Sequence, residues 1–118
     1  GIHCCGSLPD LVVRYAELQA RKPDFIALVP CHHEKMDFEL STLAAISNVR
    51  KDIFKLLTRA VTGIQIQQEY TDVSRKAMQI IDYFRAENLK LLGYDAKVLR
   101  FHHPNVSLYN HLILGVRS

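Results

Sequence analysis

The sequence predicts an α/β fold: parallel strands with crossover helices, ending in an antiparallel β-hairpin. Three observations predict it. The run FIALVP at 25–30 is short, continuously apolar and bounded by turn residues, the pattern of a strand covered on both faces. Apolar residues recur at helical spacing between 11 and 21 and again between 73 and 92. The segments 94–103 and 111–117 are strand-like and separated by a short turn containing Pro104 and Asn105, which should pair them antiparallel.

Taken in order, IHCC reads as the end of a buried strand. After it, Ser7 suits a helix N-cap, Pro9 suits the first turn where no N–H is needed, and Asp10 stands three residues beyond the cap. Leu11, Val12, Tyr15, Ala16 and Leu18 carry that helix to about residue 21, where Lys-Pro-Asp ends it. The connection 4–25 is long enough for a right-handed crossover, so the first two strands should be parallel and adjacent, with their C-terminal ends side by side.

From about 41 to 60, Leu43, Ala44, Ile46, Val49, Ile53, Leu56 and Leu57 outline an amphipathic helix. The stretch VTGIQIQQEYTD alternates at Ile64 and Ile66 but breaks at Gly63 and Thr71, so it reads as a loop or helix-end excursion. Thr71 or Asp72 caps the next helix, whose apolar face runs through Val73, Ala77, Ile80, Ile81, Phe84, Leu89, Leu91 and Leu92 to a stop at Gly93. In the strand after it Ala96, Val98 and either Leu99 or Phe101 should point inward.

At 118 residues and 48% hydrophobic composition the chain supports one core, read as a single, partial domain spanning 1–118. Its net charge of +3 is spread among interleaved acids and bases, which tolerates a polyanionic partner without requiring one. No apolar run approaches the ~20 residues of a membrane span, so no membrane association is expected. Three cysteines, with Cys4 and Cys5 adjacent, make a poor disulfide framework, and a reducing, cytoplasmic compartment is the expected home.

Three stretches, IHCCGSLPDLVVRYA, ALVPCHHEK and GYDAKVLRFHHPNVSLYNHLILGVR, resemble the class I S-adenosylmethionine-dependent methyltransferase-like domains. That family includes the eukaryotic tRNA 2′-O-methyltransferases and related uncharacterised proteins. Its members end one strand in His, any residue, Cys and Gly with an Asp a few positions on, matched by His3, Cys5, Gly6 and Asp10. They end the next in a Pro-Cys-Cys or Cys-Cys-His type sequence, matched by Pro30, Cys31, His32 and His33, and carry an Asn before the final strand, matched by Asn110.

The resemblance implies the C-terminal half of a Rossmann-like methyltransferase fold and an enzyme that transfers a methyl group from S-adenosylmethionine, with RNA among the candidate acceptors. Open α/β sheets bind ligands outside the C-terminal ends of their strands. On that rule His3 and His32 are the candidate catalytic residues, able to accept a proton from the acceptor. Cys5 and Gly6 are the candidate cofactor contacts, Pro30, Cys31 and His33 the candidate substrate contacts, and Asp10 and Asn110 the supporting residues.

In the family the cofactor is held mainly by a glycine-rich turn and an acidic residue in strand-helix units that come before the position of His3. Those units are missing from these 118 residues, so cofactor binding is expected to need upstream residues, and this portion alone is expected to be inactive. The sheet edge beside IHCC is then expected to be covered by the missing half or by self-association.

Other readings use the same residues. Cys5, Cys31 and His3 can simply wall a pocket, Ser7 and Asp10 can be helix caps, and a non-catalytic α/β module binding RNA or protein is the rival class. A small zinc-binding domain built on Cys5, Cys31, His32 and a further histidine has suitable ligand chemistry. It lacks a Cys-x-x-Cys pair, however, and consecutive residues seldom face one ion, so no residue is assigned to a metal. His102 and His103 are expected on the surface of the hairpin loop. Arg50, Lys51, Lys55 and Arg59 are expected to form a solvated helix face.

Overall fold

A computed structural model describes residues 2–40, 50–66, 71–100 and 111–117. Strand β1 (Ile2–Cys5) leads through helix α1 (Leu8–Leu18) to β2 (Phe25–Cys31). Two single-turn 3₁₀ helices follow, His33–Lys35 and Phe38–Leu40, then α2 (Lys51–Ile66), α3 (Thr71–Leu91), β3 (Tyr94–Arg100) and β4 (His111–Arg117).

The class is α/β, and the sheet order is β1-β2-β4-β3. β1 and β2 are parallel neighbours, with Cys5 opposite Cys31, as the crossover length predicts. β3 and β4 pair antiparallel along their whole length, with Tyr94 opposite Arg117 and Arg100 opposite His111. β4 is also antiparallel to β2, a pairing the sequence did not suggest, so three of the four strands form an antiparallel sheet and the parallel part is the single β1–β2 pair.

The placement of β4 has a local cause. Arg117 donates its backbone N–H to Asp24 O (2.8 Å) and its guanidinium to Lys22 O (3.0 Å), while Tyr94 Oη donates to Pro23 O (2.8 Å). These bonds fasten the base of the hairpin to the entry of β2.

The inward positions of the strands set the core. Ile26, Leu28, Ala96 and Ile113 pack with Val13 and Ala16 of α1 and with Ala86 and Leu89 of α3. The alternate positions Ala27, Val29, Leu112 and Leu114 point the other way and are only half-buried. The expectation of a β2 strand covered on both faces is therefore corrected: among the described residues, α1 and α3 both pack on one side of it.

A second cluster joins Phe54 and Val61 of α2 to Ala77, Met78 and Ile81 of α3, with Met36 beside them. This packing explains a second correction. Residues 61–66 are helical rather than a loop, because Leu57, Ala60 and Val61 continue the stripe that buries against α3 and tertiary packing overrides the Gly63 signal. The 41–49 part of the expected long helix lies outside the described residues.

α1 also departs from its expected cap. Ser7 holds the N-cap position, but its hydroxyl accepts from Asp37 N–H (2.6 Å) and makes no cap bond, and Asp10 turns into the core. The helix stops at Leu18 rather than near residue 21, since Gln19 is already extended. At the end of α3 the chain turns at Gly93 with φ +97°, the left-handed geometry that favours glycine and the stop expected there.

β1 forms one edge of the described sheet and β3 the other. Among the described residues no helix is long and apolar enough to cross a membrane.

Candidate functional site

Three chain segments converge on one edge of the sheet. β1 and β2 end there together, and Gly6 N–H extends their pairing by donating to Cys31 O (3.0 Å). β4 begins there, since Leu28 lies opposite Ile113 and the antiparallel register brings His111 level with the end of β2. Ligands of open α/β sheets bind at the edge where parallel strands end.

Gly6 is held from three sides. Besides its bond to Cys31, its carbonyl accepts from Arg85 Nη2 (2.7 Å), and a Cβ on it would lie 2.8 Å from Lys35 O. Its φ of +56° is left-handed. The open side of Gly6 is thus filled by the chain's own backbone, not by room for a cofactor. Gly6→Ala should lower stability by about 1–3 kcal/mol through strain at φ and the collision with Lys35. Urea denaturation checks this, and an unchanged midpoint would refute it.

Beside Gly6, Cys5 Sγ lies 3.1 Å from Cys31 Sγ and 3.5 Å from His32 Nδ1, and His32 Nδ1 is 3.3 Å from Cys31 Sγ. Cys5 is exposed, His32 half-buried and Cys31 buried. The trio forms because His32 is left-handed (φ 49°, ψ 51°), a conformation costing a non-glycine residue about 1–2 kcal/mol. It folds the imidazole back over Cys31, so two consecutive side chains meet at one point.

That same reversal sends His33 inward. His33 is 1% exposed, and its Nε2 lies 2.9 and 3.0 Å from the two oxygens of Asp82, so the residue expected to touch substrate is instead part of the core. Asp82 anchors a buried polar network. Its Oδ2 accepts from His111 Nδ1 (2.8 Å) and its Oδ1 from Arg85 Nη1 (3.1 Å). Arg85 in turn grips Asp10 through Nε (3.2 Å) and Nη2 (3.0 Å). Asp10, Asp82 and Arg85 have fully buried side chains.

Burial by itself would raise the Asp82 pKa. The charge of His33, hydrogen bonds from His111 and His33, and the Arg85 guanidinium outweigh burial and hold the carboxyl below the usual carboxylate range. For Arg85, burial opposes the charge, but Asp10 and Asp82 raise its pKa further.

A carboxylate only accepts, so His111 must donate to it from Nδ1. In the neutral ring Nε2 is then a lone-pair acceptor, the arrangement in which a buried Asp orients a His as a proton acceptor. His111 also lines a cavity of about 590 Å³ between α3 and β3, together with Lys76, Gln79, Tyr83, Phe84 and Arg100. That volume suits a small organic ligand, with apolar walls, an imidazole and two cations at hand.

The structure therefore brings Cys5, Gly6, Cys31 and His32 together at one edge and buries Pro30 behind them. Asp10 supports the site through Arg85 rather than by capping α1. Asn110, His102, His103 and the side chain of His3 lie outside the described residues. His111, Asp82 and Arg85 were not among the residues expected to matter. Their signal is in α3: Asp82 and Arg85 occupy the helical stripe of Met78, Ile81 and Leu89, where a charged pair has no place unless it is satisfied.

No family model, no curated protein and no solved structure matches this chain.

Proposed function

We propose that this chain supplies the acceptor-side part of an S-adenosylmethionine-dependent methyltransferase domain of the Rossmann-like type, with RNA among its candidate acceptors. The observation that carries the reading is the convergence at one sheet edge. The two strand ends bearing the family-like motifs, His3-Cys4-Cys5-Gly6 and Pro30-Cys31-His32, lie side by side, and the Asp82-oriented His111, at the start of β4 beside the end of β2, lines the cavity between α3 and β3. The parallel β1–β2 pair followed by the β3–β4 hairpin is also the order the resemblance implies.

The residues present do not form a cradle for the cofactor. Among the described residues Gly6 faces Lys35 rather than open space, and no glycine-rich turn stands beside it. The cofactor would be held by residues outside these 118. What this chain contributes is the acceptor's surroundings. The cavity orients an acceptor against Tyr83 and Phe84, Lys76 and Arg100 attract its negative charge, and His111 takes a proton from a hydroxyl that needs activation.

Calorimetric titration of S-adenosylmethionine tests the reading. Binding by the full-length gene product, with none by residues 1–118 alone, is the expected result. A full-length product that fails to bind ends the proposal and leaves the non-catalytic binding module as the better account.

A further inference from the structure

We propose that Cys5, Cys31 and His32 form a binding site for a thiophilic divalent cation of the zinc class, with a fourth coordination position open to water or a ligand. The proposal goes beyond methyl transfer and does not rest on it. It turns on the arrangement of three donor atoms: two sulfurs and one ring nitrogen, all within 4.8 Å of one another.

Tetrahedral coordination at ordinary zinc–sulfur and zinc–nitrogen lengths places two thiolates about 3.8 Å apart and a thiolate about 3.5 Å from an imidazole nitrogen. The observed separations are 3.1 Å between the sulfurs and 3.5 and 3.3 Å from sulfur to nitrogen. The two sulfur–nitrogen distances already match to within a few tenths of an ångström. The sulfurs need to part by about 0.7 Å, and Cys5 is exposed at a strand end where its side chain can move.

Charge and donor chemistry agree with the geometry. Two thiolates and a neutral imidazole neutralise a divalent cation, and each coordinating thiol releases its proton to solvent. Thiolates favour zinc-class ions over magnesium and calcium, which prefer oxygen. Three protein ligands with one side exposed is the pattern of an open site, whereas closed structural sites use four.

A disulfide between Cys5 and Cys31 is the competing fate. It would draw the sulfurs inward by about 1 Å and leave His32 outside the bond, although His32 adopts its left-handed conformation with Nδ1 within reach of both sulfurs. The consecutive pair Cys31 and His32, which argues against a metal when only sequence spacing is considered, favours one once the turn at His32 is known.

The test is titration of the reduced, purified protein with zinc chloride, with cobalt(II) chloride as the spectroscopic probe. One zinc per chain is expected, and cobalt should give a thiolate-to-metal charge-transfer band together with the intense visible bands of tetrahedral coordination. Cys5→Ser is the informative variant because Cys5 is exposed, and folding of the variant is confirmed by circular dichroism. It should weaken zinc by at least the ~100-fold that loss of even outer-sphere partners can reach, and should reduce the charge-transfer intensity. His32→Gln should keep the thiolate band and change the visible bands. Substoichiometric zinc with no thiolate band, or a folded Cys5→Ser variant with unchanged affinity and spectrum, overturns the proposal. S-adenosylmethionine binding is a separate readout, so either result leaves the methyl-transfer reading to its own test.

Discussion

Replacing Arg85 with Met should destabilise the protein by about 3–5 kcal/mol, a large part of the roughly 5–15 kcal/mol that holds a domain folded. Met roughly keeps the length and packing of the arginine stem, so the loss isolates the guanidinium. That group makes four bonds without solvent: two to Asp10, one to Asp82 and one to the Gly6 carbonyl. Without it, two buried carboxylates lose their shared cation and the Gly6 carbonyl loses a donor. The cost is the desolvation of the groups left behind, not the attraction of an ion pair as such.

Two comparisons make the expectation specific. Arg50 and Asp52 are 3.1 Å apart but 76% and 65% exposed, so Arg50→Ala should change stability by at most about 1 kcal/mol. Adding Asp10→Asn to Arg85→Met should recover part of the loss, because one of the stranded charges is removed. Urea denaturation of the three proteins measures this. An Arg85→Met loss below that of Arg50→Ala would show that the network is hydrated rather than sealed.

Much of the fold is legible in the sequence where a local rule decides it. Gly93 ends α3 because glycine accepts a left-handed turn, and the hairpin follows from two strand-like segments separated by a turn. The parallel β1–β2 pair follows from the crossover length. What is not legible depends on contacts distant in sequence. Whether β3 or β4 lies beside β2 is decided by Tyr94 and Arg117 bonding to Pro23, Asp24 and Lys22, which no spacing reveals. Helix α2 persists through the Gly63 region because its stripe meets α3, another nonlocal cause.

The site divides in the same way. That Cys5 and Cys31 meet follows from their positions at two adjacent strand ends. That His32 joins them while His33 leaves for the core does not, because the two histidines look alike until the backbone at His32 turns left-handed. His111 is hidden for a different reason. Its chemistry comes from Asp82, 29 residues earlier in the chain, and a lone histidine at the start of a strand carries no mark of that partner.

Asp82→Asn should cost about 3–5 kcal/mol at pH 7, and the deficit should shrink as the pH falls. The sign follows from the direction of the Asp82 shift. Its pKa in the folded protein lies below the ordinary carboxylate value of about 3.9, so below that pH the unfolded chain binds the proton first. The stability that Asp82 supplies is fully present above the unfolded value and is lost as the pH falls from there through the folded one.

An asparagine has no such titration, so the wild-type and variant stabilities should approach each other progressively as the pH falls below about 4. The amide also conflicts with its neighbours: three donors, from Arg85, His33 and His111, point at a group that now has one acceptor oxygen. If that oxygen stays with Arg85 and His33, His111 must move its proton to Nε2, and the nitrogen available to the cavity changes from acceptor to donor. Urea denaturation across the pH range measures the first effect, and the ¹⁵N shifts of the His111 ring report the second. Parallel stability curves for the two proteins would mean that Asp82 is not the depressed carboxyl, and an unchanged His111 tautomer would remove it from the role of orienting that ring.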